Sequence, residues 1–158
     1  MIYSPPKIPA IPFTQEAFDK MKAELAQLKI ERKAVLIRLQ AAREMGDLSE
    51  NGAYTYAKLE LGSISRQQRE LRHLIDNGKV QHASSTGSVG FGNTVVLQTA
   101  EGKKIAYTIV SIHESDLAAH KLSTESPLGA AIMGKKIGEK VNVQAPSGEK
   151  IYTVVEIQ

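Results

Sequence analysis

Apolar residues recur every three or four positions in two stretches of the chain that mirror each other about residue 48. Before it, the recurring positions are mostly apolar and are Phe18, Met21, Leu25, Leu28, Arg32, Val35, Leu39 and Ala42. After it, they are Tyr54, Ala57, Leu61, Ile64, Gln68, Leu71 and Ile75. Alternating steps of three and four keep side chains on one face of an α-helix, so the pattern predicts two amphipathic helices.

The two stripes match position by position. Residue 42 pairs with 54, 39 with 57 and so on to 21 with 75, each pair equidistant from Leu48. Helices that fold back at this point would meet layer by layer, which predicts an antiparallel coiled-coil hairpin over residues 14–80. Polar Arg32 and Gln68 occupy stripe positions, where such residues lower stability but can fix the register.

Helix boundary signals frame this hairpin. Four of the six prolines lie within residues 1–13, which excludes a helix and predicts a Pro-rich, extended N-terminal arm. Thr14 is the expected N-cap of the first helix and Gly46 its expected C-terminal stop. Asp47 or Ser49 is the expected cap of the second helix.

Beyond residue 80 the apolar period changes from about 3.5 to two, which is typical of strands. Residues 81–90 are rich in Ser, Thr and Gly and are expected to form a linker. Residues 91–158 predict a small antiparallel sheet with one short helix at Pro127–Met133, capped by Ser126. The expected fold class is therefore a two-domain α+β chain.

Composition narrows the possible functions. The 158 residues contain no cysteine, which excludes disulfides and thiolate metal sites and is compatible with reducing cytoplasm. No apolar run is long enough to span a membrane. The net charge of +3 is low for a protein that grips nucleic acid alone. All the arginines lie in the hairpin, where Arg66, Arg69 and Arg72 predict either RNA phosphate contacts or an ordinary solvated face.

The hairpin apex carries two carboxylates, Asp47 and Glu50. Carboxylate oxygens suit Mg²⁺, but two ligands are too few to hold the ion without others. The apex therefore predicts half of a magnesium site that a partner must complete. The alternative is that both acids only cap helix ends and oppose the helix dipole.

The segment Gly46-Asp47-Leu48-Ser49-Glu50-Asn51, followed by Tyr54, resembles the tip signature of the Gre family of transcript-cleavage factors. A second match lies at Ser126-Pro127-Leu128-Gly129 with Gly134-Lys135-Lys136-Ile137-Gly138. The resemblance covers about residues 14–158, and the modest charge favours the GreA branch over GreB. It implies a coiled-coil hairpin followed by an FKBP-like domain.

The resemblance also implies a function. Gre factors bind bacterial RNA polymerase and pass their hairpin through its secondary channel. There Asp47 and Glu50 would share a Mg²⁺ with the polymerase, which cleaves the 3′ end of backtracked RNA; Ser49 is a weaker candidate for a polar contact. The factor is then a monomeric, cytoplasmic helper of the polymerase and not itself an enzyme. Glu125, Ser126 and Pro127 would dock on the β′ coiled coil, or would simply begin a helix.

Three other interpretations compete with this one. A related factor could enter the same channel and inhibit without cleaving, but both tip acids are present. A coiled-coil scaffold would not need a charged, glycine-flanked apex. Prolyl isomerase activity is disfavoured, because the second domain has only Phe91, Tyr107 and Tyr152 as aromatic residues. Within the tip motif, Met45 and Gly52-Ala53 depart from the residues usual in the Gre family.

Overall fold

The computed structural model describes residues 9–46 and 51–158. Its helices and strands follow one another in the order β1 (Ile11–Phe13), α1 (Gln15–Glu44), α2 (Gly52–Asn77), β2 (Gly78–Val80), β3 (Thr94–Thr99), β4 (Lys104–Val110), β5 (Lys121–Ser123), α3 (Pro127–Ile132), β6 (Lys140–Ala145) and β7 (Gly148–Ile157), with a 3-10 turn at Ile112–Glu114 before β5. The chain divides into two compact units. One contains Pro9 and Phe18–Gly78, and the other contains Ala10–Ala17 and Lys79–Gln158.

The first unit is the predicted helical hairpin. Seven stripe positions are buried, namely Met21, Leu28, Val35, Ala42, Ala57, Ile64 and Gln68. The other stripe positions are half-buried, apart from the exposed Arg32, whose long side chain can reach water from an interhelical position. An ion pair between Arg38 and Glu60, 2.8 Å apart, joins the helices, and both residues lie at nearly equal distances along the chain from residue 48. Periodicity alone therefore located the packed face correctly.

The second unit is built on a five-stranded sheet with the order β5-β4-β3-β7-β6. Neighbouring strands are antiparallel except β4 and β5, which run parallel, so the predicted all-antiparallel sheet is wrong at that edge. Helix α3 packs against β5 and β6. The core consists of buried apolar side chains from the sheet, α3 and the segment before β3: Val89, Val95, Leu97, Ile109, Leu122, Ile132, Val141 and Val154. The predicted α+β class, with one short α-helix beside a sheet, is confirmed.

Two segments outside the predicted second domain also contribute to this unit. Ile11–Phe13, from the predicted N-terminal arm, pairs with β2 in a two-stranded sheet, and Phe13 is fully buried. Pro12 is tolerated there because both strands of such a sheet are edge strands. Val89, from the predicted linker, is 2% exposed and belongs to the core.

Thr14 and the first three residues of α1 belong to the second unit, and hydrogen bonds within that unit hold them. Thr14 caps α1 as predicted, since its hydroxyl accepts the N–H of Ala17 at 3.2 Å. The N–H and hydroxyl of Thr14 donate to the Glu114 carboxylate at 3.0 and 2.6 Å. No helix in the part of the chain that the structure describes is long and apolar enough to cross a bilayer.

Candidate functional site

The predicted tip residues Asp47, Ser49 and Glu50 lie outside the described residues. The nearest described residues on either side are Gly46 and Asn51. Gly46 has a φ of +109°, a conformation that side-chain-bearing residues rarely adopt, which explains a glycine at this position. Among the described residues no group of three or more His, Asp or Glu side chains could hold a metal ion.

The side-chain amide of Asn51 connects the two helices of the hairpin. Its Oδ1 accepts the N–H of Tyr54 at 3.1 Å and so caps α2. Its Nδ2 donates to the carbonyl of Ala42 at 2.7 Å, which satisfies an acceptor in the last turn of α1. One amide thus links the end of one helix to the start of the next. The predicted caps, Asp47 and Ser49, were wrong, because α2 begins later than either of them allows.

The basic residues of the hairpin do not all lie together. Arg69 and Arg72 line a cleft of about 530 Å³ with Arg32 of α1, whereas Arg66 is not part of its lining. Of the three arginines that were predicted to act together, only Arg69 and Arg72 share this cleft. The third arginine in its lining is Arg32, from the other helix. In the sequence, Arg32 is recognisable only as a polar interruption of the apolar stripe.

The predicted docking motif in the second unit contains one residue that builds the turn and two that face solvent. The hydroxyl of Ser126 donates to the Ser123 carbonyl at 2.7 Å and accepts the N–H of Gly129 at 3.0 Å. Ser126 is therefore the helix cap that the sequence predicted, with its hydrogen-bonding capacity used inside the fold. Glu125 and Pro127 are exposed.

Glycines explain much of the remaining motif. A Cβ on Gly129 would lie 1.9 Å from the Ser123 carbonyl oxygen, so no other residue fits without moving α3. Gly134 and Gly138 have φ values of +75° and +90°. The carbonyl of Val89 accepts the Gly134 N–H, and the Lys135 carbonyl accepts the Val89 N–H, both at 2.8 Å. These positions serve the fold around α3.

A cleft of about 480 Å³ is lined mainly by residues of β4, and Tyr107 and His120 are part of its lining. Their rings are tilted by 53° with centroids 5.8 Å apart. Burial, with a smaller contribution from Tyr152, raises the pKa of the Tyr107 hydroxyl. The lining is otherwise aliphatic, threonine or lysine.

Comparisons with known proteins found matches to both parts of the chain. Residues 11–80 match the family described as "Transcription elongation factor, N-terminal". Residues 84–158 match "Transcription elongation factor, GreA/GreB, C-term". The chain therefore belongs to the GreA/GreB family of transcription elongation factors, as its two motifs indicated.

Individual relatives extend over nearly the whole chain. It is 38% identical over 151 residues to the transcription elongation factor GreA of Thermosipho africanus, covering 94% of this chain and 97% of that protein. It is 38% identical to the GreA of Bacillus velezensis, covering 92% and 95%. The crystal structure of GreA factor homolog 1 of Thermus thermophilus is 22% identical, with a TM-score of 0.45 over 94% of this chain and 99% of that one.

Proposed function

We propose that this elongation factor binds bacterial RNA polymerase and stimulates cleavage of the 3′ end of backtracked RNA by the polymerase itself. The hairpin passes through the secondary channel and brings Asp47 and Glu50 to the polymerase active centre. The observation that carries the proposal is the tip motif with both acids present, in a chain of the GreA/GreB family. The factor acts as a monomer in the bacterial cytoplasm.

The two tip carboxylates fit a magnesium ion only as part of a shared site. Asp47 and Glu50 supply hard oxygen ligands, and Mg²⁺ needs further ligands from the polymerase, RNA phosphates and water. When bound, such an ion lowers the pKa of a water molecule and makes it a nucleophile. This chain contributes ligands and their placement, with Ser49 as a weaker candidate for a polar contact nearby.

The hairpin geometry supports delivery of these acids. Seven buried stripe positions and the Arg38–Glu60 pair hold the two helices in one register. Asn51 then links Ala42 to the first turn of α2, which limits how far the ends of the tip segment can separate. Preorganised ligands lose less entropy when a catalytic site is assembled.

The second unit is proposed to dock on the β′ coiled coil of the polymerase. Glu125 and Pro127 are exposed beside a turn that the Ser126 hydrogen bonds hold in place. Pro127→Asn is expected to weaken polymerase binding while leaving the circular dichroism spectrum unchanged. Normal binding by this variant would remove Pro127 from the docking surface.

The deciding experiment uses a stalled, backtracked bacterial elongation complex with Mg²⁺. We expect the wild-type chain to release short 3′ RNA fragments, and Asp47→Ala and Glu50→Ala to lose most of this stimulation while still binding polymerase. Glu24→Ala, which removes an exposed acid elsewhere on α1, is the matched control and should cleave normally. Undiminished cleavage by the Asp47/Glu50 double variant would refute the tip mechanism. Wild-type binding without cleavage would favour a channel-entering inhibitor.

A further inference from the structure

Strand β4 is only partly covered on the side that faces away from β3. Strand β5 pairs with residues 108–110, whereas residues 104–107 pair with β3 alone in the part of the chain that the structure describes. His120, directly before β5, has a φ of +55°, and its N–H donates back to the Leu117 carbonyl at 3.2 Å. The chain therefore turns at His120 and does not continue along β4. Residues 104–107 form an open edge of the sheet.

The backbone of this open edge presents both donors and acceptors. The Thr99 N–H donates to the Lys103 carbonyl at 2.8 Å, whereas the Thr108 N–H donates to the His120 carbonyl at 2.9 Å. Backbone groups alternate in direction along a strand, so those of Lys104 and Ala106 point away from β3, as those of Thr108 do. Both residues are exposed, and among residues 9–46 and 51–158 neither has a backbone partner on that side. Unpaired edges of this kind are templates for a further strand.

The space beside the open edge can hold such a strand. Residues 103–108 line the cleft of about 480 Å³ together with Thr94 and His120. Ala106 carries only a methyl group, so its side chain leaves the neighbouring backbone accessible. Four residues at about 3.4 Å each give an edge of about 14 Å, which matches an added strand of about four residues.

Positive charge indicates which kind of strand fits. Lys103 and Lys104 line the cleft, no Asp or Glu is among its described lining residues, and within the described ranges no carboxylate lies within 4.0 Å of either ammonium group. Lys121, at the start of β5, differs because Glu16 lies 3.8 Å from it. A second copy of this edge would bring the same lysines, and edge lysines disfavour such self-pairing. An acidic strand instead places opposite charges across from Lys104, which is favourable.

We propose that the open edge binds an extended acidic segment of another protein, which joins the sheet as an additional strand. Its backbone pairs with Lys104 and Ala106, and its acidic side chains lie on the face that carries these two residues. Its alternate side chains lie on the face of Ile105 and Tyr107, where Tyr107 already packs against the core, so apolar residues fit there. The phosphates of a nucleic acid only accept hydrogen bonds and would leave the edge carbonyls unpaired. The proposal requires neither the tip acids nor the docking turn, so each can fail without the others.

Amide NMR of the full chain with synthetic peptides tests this binding. The probe is a short peptide of alternating glutamate and valine, and the matched control has lysine in place of glutamate. We expect the acidic peptide to shift the amide signals of Lys104 and Ala106 and to slow hydrogen exchange at Ala106 about tenfold or more, since its N–H becomes bonded. The lysine peptide should bind at least about tenfold more weakly. Equal binding of the two peptides, or no shift at the open edge, would overturn the proposal.

N-methylated peptides separate strand addition from general attraction between charges. Only every second residue of an added strand bonds to the edge. Methylation of all glutamate nitrogens and methylation of all valine nitrogens should therefore differ, with one peptide keeping its affinity and the other losing about tenfold or more. Equal affinities would refute strand addition. Displacement of the acidic peptide by a short oligoribonucleotide would indicate an unspecific anion surface and would also refute it.

Variants of the open edge test the same contacts from the side of this chain. Ala106→Pro removes the outward N–H but no bond to β3, and edge strands tolerate proline; it should weaken binding about tenfold or more. Lys104→Gln should weaken binding about two- to fivefold. Lys150→Gln removes the same charge from exposed β7 and should have less than about half that effect. Equal losses in the two lysine variants would refute the role of Lys104. Circular dichroism verifies folding, and the methylated peptides test the backbone bonds on the wild-type chain.

Discussion

Replacement of Gly129 by alanine tests how closely α3 approaches strand β5. The added Cβ would stand 1.9 Å from the carbonyl oxygen of Ser123 and 2.9 Å from its carbonyl carbon. Real Cβ atoms essentially never come within 3.0 Å of other heavy atoms, so α3 and this carbonyl must separate by about 1.1 Å or more. Because the obstacle is backbone, rotation of a flexible side chain cannot relieve the clash.

The magnitude follows from what this displacement disrupts. The Ser123 carbonyl accepts from the Ser126 hydroxyl at 2.7 Å and from the Ser126 N–H at 3.1 Å. Two such hydrogen bonds contribute about 1–3 kcal/mol together. Partial loss of packing around Ile132, which is 0% exposed, adds about 1–2 kcal/mol. The better helix propensity of alanine returns up to about 1 kcal/mol. We therefore expect a net destabilisation of about 1–5 kcal/mol.

Urea unfolding of the full chain, followed through the core amides of Val95 and Ile109, measures this change where it should occur. Gly62→Ala is the matched control, since the same substitution in α2 meets nothing within 4 Å. It should stabilise the hairpin by about 0.5–1 kcal/mol. If Gly129→Ala unfolds within about 0.5 kcal/mol of the wild type, the close approach of α3 to Ser123 is refuted.

Three further predictions concern other positions. Gln68→Leu removes a buried unpartnered amide and should stabilise the hairpin by about 1–2 kcal/mol in thermal unfolding, whereas Gln67→Leu on the exposed face should change stability by less than about 0.5 kcal/mol. Equal changes in stability for the two variants would contradict the idea that the buried amide of Gln68 is unfavourable. Asn51→Ala removes both hydrogen bonds of the Asn51 side chain. It should lower the free energy of unfolding by about 1–2 kcal/mol and slow RNA cleavage without weakening polymerase binding. An unaltered free energy of unfolding would contradict this role of Asn51. Burial raises the pKa of Tyr107, so the unfolded chain ionises first, and stability should decline as pH rises above the ordinary value of 10.0. The stability of Tyr107→Phe should decline less than that of the wild type in unfolding curves at alkaline pH. An identical decline would show that ionisation of Tyr107 is not its cause.

The hairpin was predictable because helix periodicity is a local property of the chain. Ala42 and Ala57 are buried at stripe positions that spacing alone had identified. The cap of α2 was not predictable in the same way. Asp47, Ser49 and Asn51 are all good cap residues, and the choice among them depends on where the backbone of the turn first becomes helical.

The second unit shows the same division between local and long-range information. The alternation of β3 identified a half-buried strand, and Val95 and Leu97 are indeed its fully buried residues. That Ile11–Phe13 pairs with β2 could not be inferred from spacing, because its partner lies beyond the whole hairpin in sequence. The parallel pairing of β4 with β5 was missed for a similar reason, since the residues between them contain no regular crossover helix.

Local patterns were therefore sufficient for the two helices, their matched faces, the acidic motif between them and the cap of α3. Those features depend on the order of residues within a few turns, where geometry allows few alternatives. Which side chains meet across elements was decided by the tertiary structure. Arg32 joins Arg69 and Arg72 while Arg66 does not, because neighbours on two packed helices depend on how each helix is rotated about its axis. Gly129 has its role for the same physical reason, since only packing determines the distance from α3 to Ser123.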